Sequence, residues 1–404
     1  MTANLVLRRN RRRRLEQGHP WIYQSEVDHV TAAISPGDVV DVVNHQGVFL
    51  ARAYVNPNSQ IIGRVLTYSA KETIDEAFLV RRLRQAQAYR QRQLGHLQSG
   101  RLVYGEADFL PGLIVDRYQN MLSVQLLTAG MERLKPQLLK ALRTVYQPTG
   151  IYLRNDVPIR RLEGLPLETG VWWGIVPKEV EITENGLKFL VDIYTGQKTG
   201  FFYDQRNNRA AIAPLMTHWL TPQGELRGAE VLDCFCHTGA FAVHALAYGA
   251  AHVTAVDISQ EAIDQARRNL DLNHLLDRAT LQVANAFDFL REAETAGQRF
   301  DVIILDPPAF AKSKSALPGA RRGYKEINLR AMRLLEEGGF LVTASCSYAL
   351  SPDLFRETLL EAAMDAHKVL REVRWSGAAA DHPEILGVPE SHYLKFAILE
   401  VHTR

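Results

Sequence analysis

FDVIILDPPAF, residues 300–310, is the stretch that decides how this chain folds. Val302, Ile303, Ile304 and Leu305 form an unbroken apolar run, the pattern of a central strand covered on both faces. The run stops at Asp306-Pro307-Pro308. Two prolines can continue neither a sheet ladder nor a helix interior, so the chain must leave the sheet there. A carboxylate is thereby fixed at the carboxyl end of a buried strand, which is where open α/β sheets bind ligands.

Around this stretch, apolar strands and helical patterns alternate. Strands are predicted near residues 230–235, 252–256, 280–283, 302–305 and 340–344, and helices near 240–248, 260–270, 287–293 and 324–335. Two further strands, 368–375 and 393–401, close the chain. The alternation predicts an α/β fold: a doubly wound, mostly parallel sheet with helices on both faces. Upstream, a hairpin over 180–193 turns at Asn185-Gly186 and leads into TGQKTGFFYDQR, residues 195–206.

Nearer the N-terminus, short β segments at 38–43, 48–54 and 61–66 are separated by turns at Pro36-Gly37, Asn44 to Gly47 and Asn56 to Ser59, as in a small β-barrel-like module. A helix over 74–94 follows, carrying Arg81, Arg82, Arg84, Arg90 and Arg92, an exposed face or an RNA contact. Strands at 103–115 and 121–127 around Pro111-Gly112, a helix over 131–146 and a strand at 150–154 make a second, α+β unit. The expected domains are 1–73, 74–177 and 178–404.

Lys and Arg number 47 against 45 Asp and Glu, a net charge of +2. Affinity for nucleic acid must then come from local clusters rather than bulk charge. One such cluster is Arg8, Arg9 and Arg11, Arg12, Arg13, Arg14, a solvated surface or a phosphate-binding arm. No apolar run is long enough to cross a bilayer, and no secretory segment is read at the N-terminus. Cys234, Cys236 and Cys346 cannot pair off completely, which predicts a reduced, cytoplasmic protein. No metal site is expected, and in particular no four-ligand zinc at Cys234 and Cys236.

The motifs converge on the sheet edge. VLDCFCHTGAF puts Asp233, Thr238 and Gly239 at a strand-to-helix turn that brings backbone N–H groups near a ligand. It lacks the glycines of a dinucleotide fingerprint, which favours a cofactor without a pyrophosphate, S-adenosylmethionine being the candidate. Asp257, ending HVTAVD, could take two ribose hydroxyls or cap the next helix. Asn285 or Asp288 could reach an adenine amino group, with Phe287 packed on the ring. Lys312, Lys314, Arg321, Arg322 and Lys325 make a basic segment suited to a polyanion. Cys346, in SCSY, is either a small buried hydrophobe or a thiolate able to attack a ring carbon.

Taken together these motifs resemble the RlmI-like family of class I methyltransferases, which make 5-methylcytosine in large-subunit (23S) ribosomal RNA. GHPWIY with the β segments after it looks like that family's N-terminal PUA RNA-binding domain. TGQKTGFFYDQR, DCFCHTGAF, AVDIS, NAFDFL, LDPPAFAKSK and SCSY follow in the family's order. The resemblance implies an N-terminal PUA β-barrel, a middle α+β domain, a Rossmann-like domain binding S-adenosylmethionine, and a homodimer. It carries Lys198, Thr199, Phe201 and Ile258 to the cofactor, beside Asp233, Thr238, Gly239, Asp257, Asn285, Asp288 and Asp306. It carries Trp21 to RNA beside Arg11 to Arg14, Lys312, Lys314, Arg321 and Arg322. Cys346 and Asp306 become the catalytic pair, acting on an unpaired or flipped-out cytosine. Unlike many RNA cytosine-5 methyltransferases, the chain has Ala309 and Phe310, not a second cysteine, after Asp-Pro-Pro. Two other readings stand beside this one: methylation of a base nitrogen without a thiol, and a non-catalytic RNA-binding assembly factor.

Overall fold

The computed structural model describes residues 3–196, 199–311 and 313–404. These form two compact units. The first comprises the described residues of Met1–Ile182, Val191–Tyr203 and Ala380–Ser391; the second comprises Thr183–Leu190, Asp204–Ala379 and His392–Arg404.

The first unit opens with β1 (Asn4–Leu7), β2 (Trp21–Ile22), β3 (Val27–Val30), β4 (Val39–Val43), β5 (Phe49–Val55) and β6 (Gly63–Thr67). They make one sheet in the order β2-β6-β5-β4-β1-β3, in which β1 and β4 are parallel and the other neighbours antiparallel. Leu5, Leu7, Val40, Val42, Ala51 and Ala53 alternate inward and share a core. Helix α1 (Glu76–Leu94) follows, capped by the Asp75 side chain accepting from the Phe78 N–H at 2.8 Å.

A second sheet is built from β7 (Ser99–Tyr104), β8 (Leu113–Tyr118), β9 (Met121–Leu126), then, after α2 (Ala129–Arg133) and α3 (Lys135–Tyr146), β10 (Gly150–Asn155) and, after α4 (Ile159–Leu162), β11 (Glu168–Gly174). Phe78, Leu79 and Leu83 of α1 and Leu138 and Leu142 of α3 pack on its apolar face. Three expectations are corrected here. The break within residues 103–115 is wider than a Pro111-Gly112 turn, because Gly105–Asp108 winds into a 3₁₀ turn between β7 and β8. The helix over 131–146 is two helices, broken at Leu134, with Pro136 in the first turn of α3 where its missing N–H costs nothing. Arg90 does not belong to an exposed face: it is 1 % exposed and forms a bidentate pair with Asp108 at 2.6 and 2.7 Å. Arg101 and Asp116 repeat the arrangement at 2.8 Å.

The ribbon of β12 (Glu179–Glu184) and β13 (Leu187–Asp192) turns at Asn185 and Gly186, both at positive φ (52° and 84°), the two-residue turn that an Asn-Gly pair prefers.

In the second unit, α5 (Arg206–Ala211), the short ribbon β14 (Trp219–Leu220) and β15 (Leu226–Arg227), β16 (Glu230–Cys234), α6 (Ala240–Ala247), β17 (His252–Asp257), α7 (Gln260–Leu272), β18 (Ala279–Val283), α8 (Ala286–Thr295), β19 (Phe300–Leu305), α9 (Leu317–Leu334), β20 (Leu335–Ser345), α10 (Pro352–Asp365), β21 (Lys368–Ser376) and β22 (Lys395–Thr403) follow one another. The sheet order is β18-β17-β16-β19-β20-β22-β21. Its strands are parallel as far as β20, and the last two pairings are antiparallel. Every residue of β19 is buried, as its apolar run requires. The order reverses between β16 and β19, so the crevice above their carboxyl ends is the ligand position of such a sheet. Helix α9 begins seven residues earlier than its apolar period suggests, at Leu317, because arginines and a lysine hide the pattern in its first turns.

Candidate active site

Register aligns the four strand ends. Cys234 pairs with Val256 and Leu305, and Leu305 pairs with Thr343. Asp257, Phe235, Asp306 and the Ser345-Cys346 pair therefore leave the sheet side by side.

Asp233 lies one position inside that edge and is fully buried. Neither of its carboxylate oxygens has a hydrogen-bond partner among the described residues. Burial pushes its carboxyl well above the usual range, and the charges of Asp306 and Asp257 add to this; the Ala242 N–H opposes the rise but falls short of a hydrogen bond. The turn after it is tightly wound: Phe235 and His237 both take positive φ (62° and 48°), a conformation that costs such residues of order 1–3 kcal/mol. Gly239, at φ 75°, passes α7 so closely that a Cβ there would meet the Ala266 side chain at 2.9 Å. The Thr238 carbonyl is held by Asn269 Nδ2 at 2.9 Å.

Asp257 is not the helix cap. That role belongs to Ser259, whose side chain accepts from the Ala262 N–H. Instead the Asp257 carboxylate accepts from the His237 N–H at 2.9 Å and the Ser259 N–H at 3.0 Å, one on each oxygen. Ile258 next to it is 71 % exposed, an apolar side chain left uncovered beside a carboxylate. Asn285 caps α8 through Oδ1, accepting from the Phe287 N–H at 2.9 Å, whereas Asp288 is exposed and pairs with Arg291 at 3.3 Å. Phe235, Phe287 and Phe310 lie within 6.4 Å of one another, and Phe310 meets Tyr324 at 4.7 Å.

Asp306 accepts from Gln205 Nε2 at 3.0 Å. Gln205 cannot flip its amide, because its Oε1 accepts from Asn208 Nδ2 at 2.7 Å, and Asn208 Oδ1 in turn accepts from the Ser376 hydroxyl at 2.9 Å. Cys346 is partly exposed, and its thiol lies 3.7 Å from the Pro307 carbonyl, one residue beyond Asp306. Ser347 ties the two loops together: its Oγ accepts from the Ala311 N–H at 3.0 Å and meets the Tyr324 hydroxyl at 2.9 Å. Cys234 and Cys236 are buried, and desolvation raises both thiols well above their ordinary range, so neither is a thiolate. Cys234 ends its strand and Cys236 lies in the turn beyond.

The structure thus brings Asp233, Thr238, Gly239, Asp257, Ile258, Asn285, Asp288, Asp306 and Cys346 to one sheet edge. Other predicted residues have surroundings of their own. Thr199 and Phe201 belong to the first unit, where the Thr199 hydroxyl donates to Asp116 and the Phe201 N–H to the Tyr118 hydroxyl at 3.1 Å. Lys198, Lys312 and the Lys314 side chain lie outside the described residues. Of the N-terminal arginines, Arg12 and Arg13 are exposed; Arg11 pairs with Glu16 at 2.6 Å with its side chain 8 % exposed, and Arg14 stacks over Tyr23 at 5.0 Å. The Trp21 indole N–H donates to Glu106 at 2.8 Å. Arg321 pairs with Glu361 at 2.9 Å and Arg322 is exposed. Gln205 and Lys395 carry no role in the sequence reading, although Gln205 is the next-to-last residue of the TGQKTGFFYDQR motif.

Similarity to known proteins points the same way. Residues 5–68 match the PUA-like domain family, and residues 110–385 match the S-adenosylmethionine-dependent methyltransferase family. The chain is 44 % identical over 399 residues to the ribosomal RNA large subunit methyltransferase I of Escherichia coli O139:H28, covering 98 % of each chain. It is 43 % identical, with the same coverage, to the protein of that name in Cronobacter sakazakii. Among solved structures it is similar to a SAM-dependent methyltransferase from Streptococcus mutans (TM-score 0.80, 20 % identity, covering 98 % of this chain and 99 % of that one). It is also similar to a methyltransferase solved with SAH (TM-score 0.82, 20 % identity, the same coverage).

Proposed function

This chain belongs to the S-adenosylmethionine-dependent methyltransferase family, among the ribosomal RNA large subunit methyltransferases I, and from that premise we propose that it forms 5-methylcytosine in 23S rRNA through a covalent adduct on Cys346. The observation that carries the mechanism is the partly exposed Cys346 thiol beside the Pro307 carbonyl, next to Asp306, with the other two cysteines buried.

The residues at the sheet edge fit the cofactor. Asp233 is a buried acid with no hydrogen-bond partner among the described residues, suited to a cationic group. Asp257 keeps lone pairs for two ribose hydroxyls, and Ile258 offers apolar cover for an adenine. Because the Asn285 oxygen is spent on its helix, Asp288 is the better acceptor for an adenine amino group. When bound, S-adenosylmethionine supplies an electrophilic methyl group to the base.

Carbon 5 of cytosine is a weak nucleophile until C6 carries an added group. Cys346 adds there as thiolate: an S–C6 bond forms, and the C5–C6 electron pair moves toward C5. Asp306 hydrogen-bonds the N3 and amino edge of the ring and favours protonation at N3. After C5 is methylated, its proton leaves to a base and the S–C6 bond breaks, returning the thiolate. Because the thiol must reach C6 from the ring face, the cytosine is unpaired or flipped out. Arg12, Arg13 and Arg322 supply exposed cations for the rRNA backbone. We place the enzyme in the cytoplasm as a homodimer, with functional segments 1–73, 74–177 and 178–404.

Target RNA carrying 5-fluorocytosine tests this, because fluorine at C5 blocks the last proton loss. A protein–RNA band that survives denaturing electrophoresis is expected, and it should require both S-adenosylmethionine and Cys346. Full methylation by a folded Cys346→Ala variant would sink the covalent route and favour methylation of a base nitrogen.

A further inference from the structure

Lys395 is a lysine buried in a strand. It opens β22, opposite Ser345 in the antiparallel pairing with β20, one residue before Cys346. Its side chain is 2 % exposed, and lysines are almost never so buried unless paired. Among the described residues no carboxylate accounts for it: Nζ donates to the Ser347 carbonyl at 2.7 Å and to the Tyr393 carbonyl at 2.8 Å. An ammonium has three protons, and these two bonds use two of them. The Ser347 carbonyl belongs to the residue that follows Cys346, so the cation sits under the turn that presents the nucleophile.

Resting on the reading of Cys346 as the nucleophile, we propose that Lys395 is a positioning residue for it: it clamps the turn after β20 and keeps a positive charge by the sulfur, favouring the thiolate. Burial lowers the Lys395 ammonium to about 8, and the one influence that raises it is the charge of a Cys346 thiolate. Attraction between two groups is mutual, so Lys395 favours the Cys346 thiolate as that thiolate favours the ammonium. The tyrosine Tyr324, buried on the α9 side, is raised chiefly by burial and also by the Cys346 charge, and it meets the hydroxyl of Ser347, the residue whose carbonyl Lys395 holds. Asp306 precedes the Pro307 whose carbonyl the thiol approaches, and Tyr348 lies two residues after Cys346; Asp306, as a carboxylate, works against a thiolate. A buried cation is what offsets that opposition. Near neutral pH Lys395 carries its charge, and the assistance fades as pH rises through about 8.

The experiment is alkylation of the intact protein by iodoacetamide across pH 6–10, with Cys346 followed by peptide mass mapping. Wild-type Cys346 should ionise below the ~8.5 of a free cysteine. In Lys395→Met the midpoint should rise by about one unit, at the low end of the shift from a nearby opposite charge, giving a roughly tenfold slower reaction at pH 7 that converges with wild type near pH 10. Methylation should lose kcat in the same pH-dependent way with the KM for S-adenosylmethionine unchanged. A loosened turn alone would change the alkylation rate equally at every pH, and that result overturns the proposal. If Lys395→Met does not fold, the wild-type profile decides: a midpoint at or above ~8.5 overturns it as well. Alkylation needs no turnover, so an active Cys346→Ala would defeat the nucleophile reading without touching this measurement.

Discussion

Asp257→Ala tests whether the carboxylate at the end of β17 binds a cofactor or only orders its own loop. Its two oxygens each accept one backbone N–H, from His237 at 2.9 Å and Ser259 at 3.0 Å. An ionised carboxylate has about four lone-pair sites, which leaves one on each oxygen. Two neighbouring ribose hydroxyls can occupy them together. A hydrogen bond to a charged group contributes about 1.5–3 kcal/mol net, but the site is partly exposed and water replaces some of that contribution. The expected loss is therefore about 1–3 kcal/mol in total, a roughly 5- to 150-fold weaker affinity. Asp257→Asn should be nearly as damaging, since its amide nitrogen would face one of the two backbone donors. Calorimetric titration with SAH, on variants whose circular dichroism matches wild type, measures the effect, and RNA affinity serves as the control. Affinity within twofold of wild type in folded Asp257→Ala would confine the carboxylate to its loop and refute the ribose assignment.

Gln205→Leu removes the amide that orients Asp306 while keeping volume; single-turnover methylation should fall about tenfold, the scale of one hydrogen bond to a charged group, with cofactor affinity unchanged. An unaltered rate would mean that Asp306 is positioned without it. Replacing Arg12 and Arg13 with Ala should reduce the slope of log K against log salt by about 0.7–0.9 for each phosphate that is no longer neutralised, whereas Arg11→Ala should leave it nearly unchanged, because Arg11 is already paired with Glu16. Filter binding across a salt series separates the two. Burial holds His244 at about 4, neutral, with Nδ1 against the Ala240 carbonyl at 2.7 Å and Nε2 against Asn185 at 3.1 Å. Its folded value lies below its unfolded one, so the unfolded chain protonates first as pH falls. Its contribution is complete above about 6.5 and is lost on the way down to about 4, on the order of 3 kcal/mol. Urea unfolding at pH 7.5 and pH 4.5 should record that loss, and His244→Gln should shrink it.

Where local pattern and tertiary demand agree, the chain is readable residue by residue. The apolar run of β19 is buried throughout, and Asn185-Gly186 turns the hairpin it should turn. The sheet edge is legible for the same reason, since a run of apolar residues ending in Asp-Pro-Pro or Asp-Ile-Ser announces its own end. What pattern cannot show is pairing at a distance. Arg90 looks like one more solvated arginine until Asp108 and the Asp381 carbonyl close around it, the latter 291 residues away. Lys395 likewise resembles a strand-edge charge, and only the carbonyls of Ser347 and Tyr393 explain its burial. Strand β11 is not announced by its sequence, because only partly buried residues alternate along it, as on a sheet edge with one neighbour.

Three carboxyl groups converge where β16, β17 and β19 end, and the fold treats each differently. Asp257 is solvated by backbone N–H groups, and Asp306 by the amide of a side chain that is itself locked. Asp233 has neither, although its neighbours' charges make its own ionisation harder still. An unsatisfied buried polar group costs about 1–3 kcal/mol, and burying the charged form costs more. Local stability would be better served by an apolar residue at that position. The acid makes physical sense only if a partner arrives from outside the fold, one that offers positive charge or hydrogen-bond donors. A cofactor carrying an ammonium meets that requirement, and an inert scaffold would have no use for the cost. The unpaired acid at 233 therefore argues for a working binding site more directly than the better-solvated carboxylates beside it.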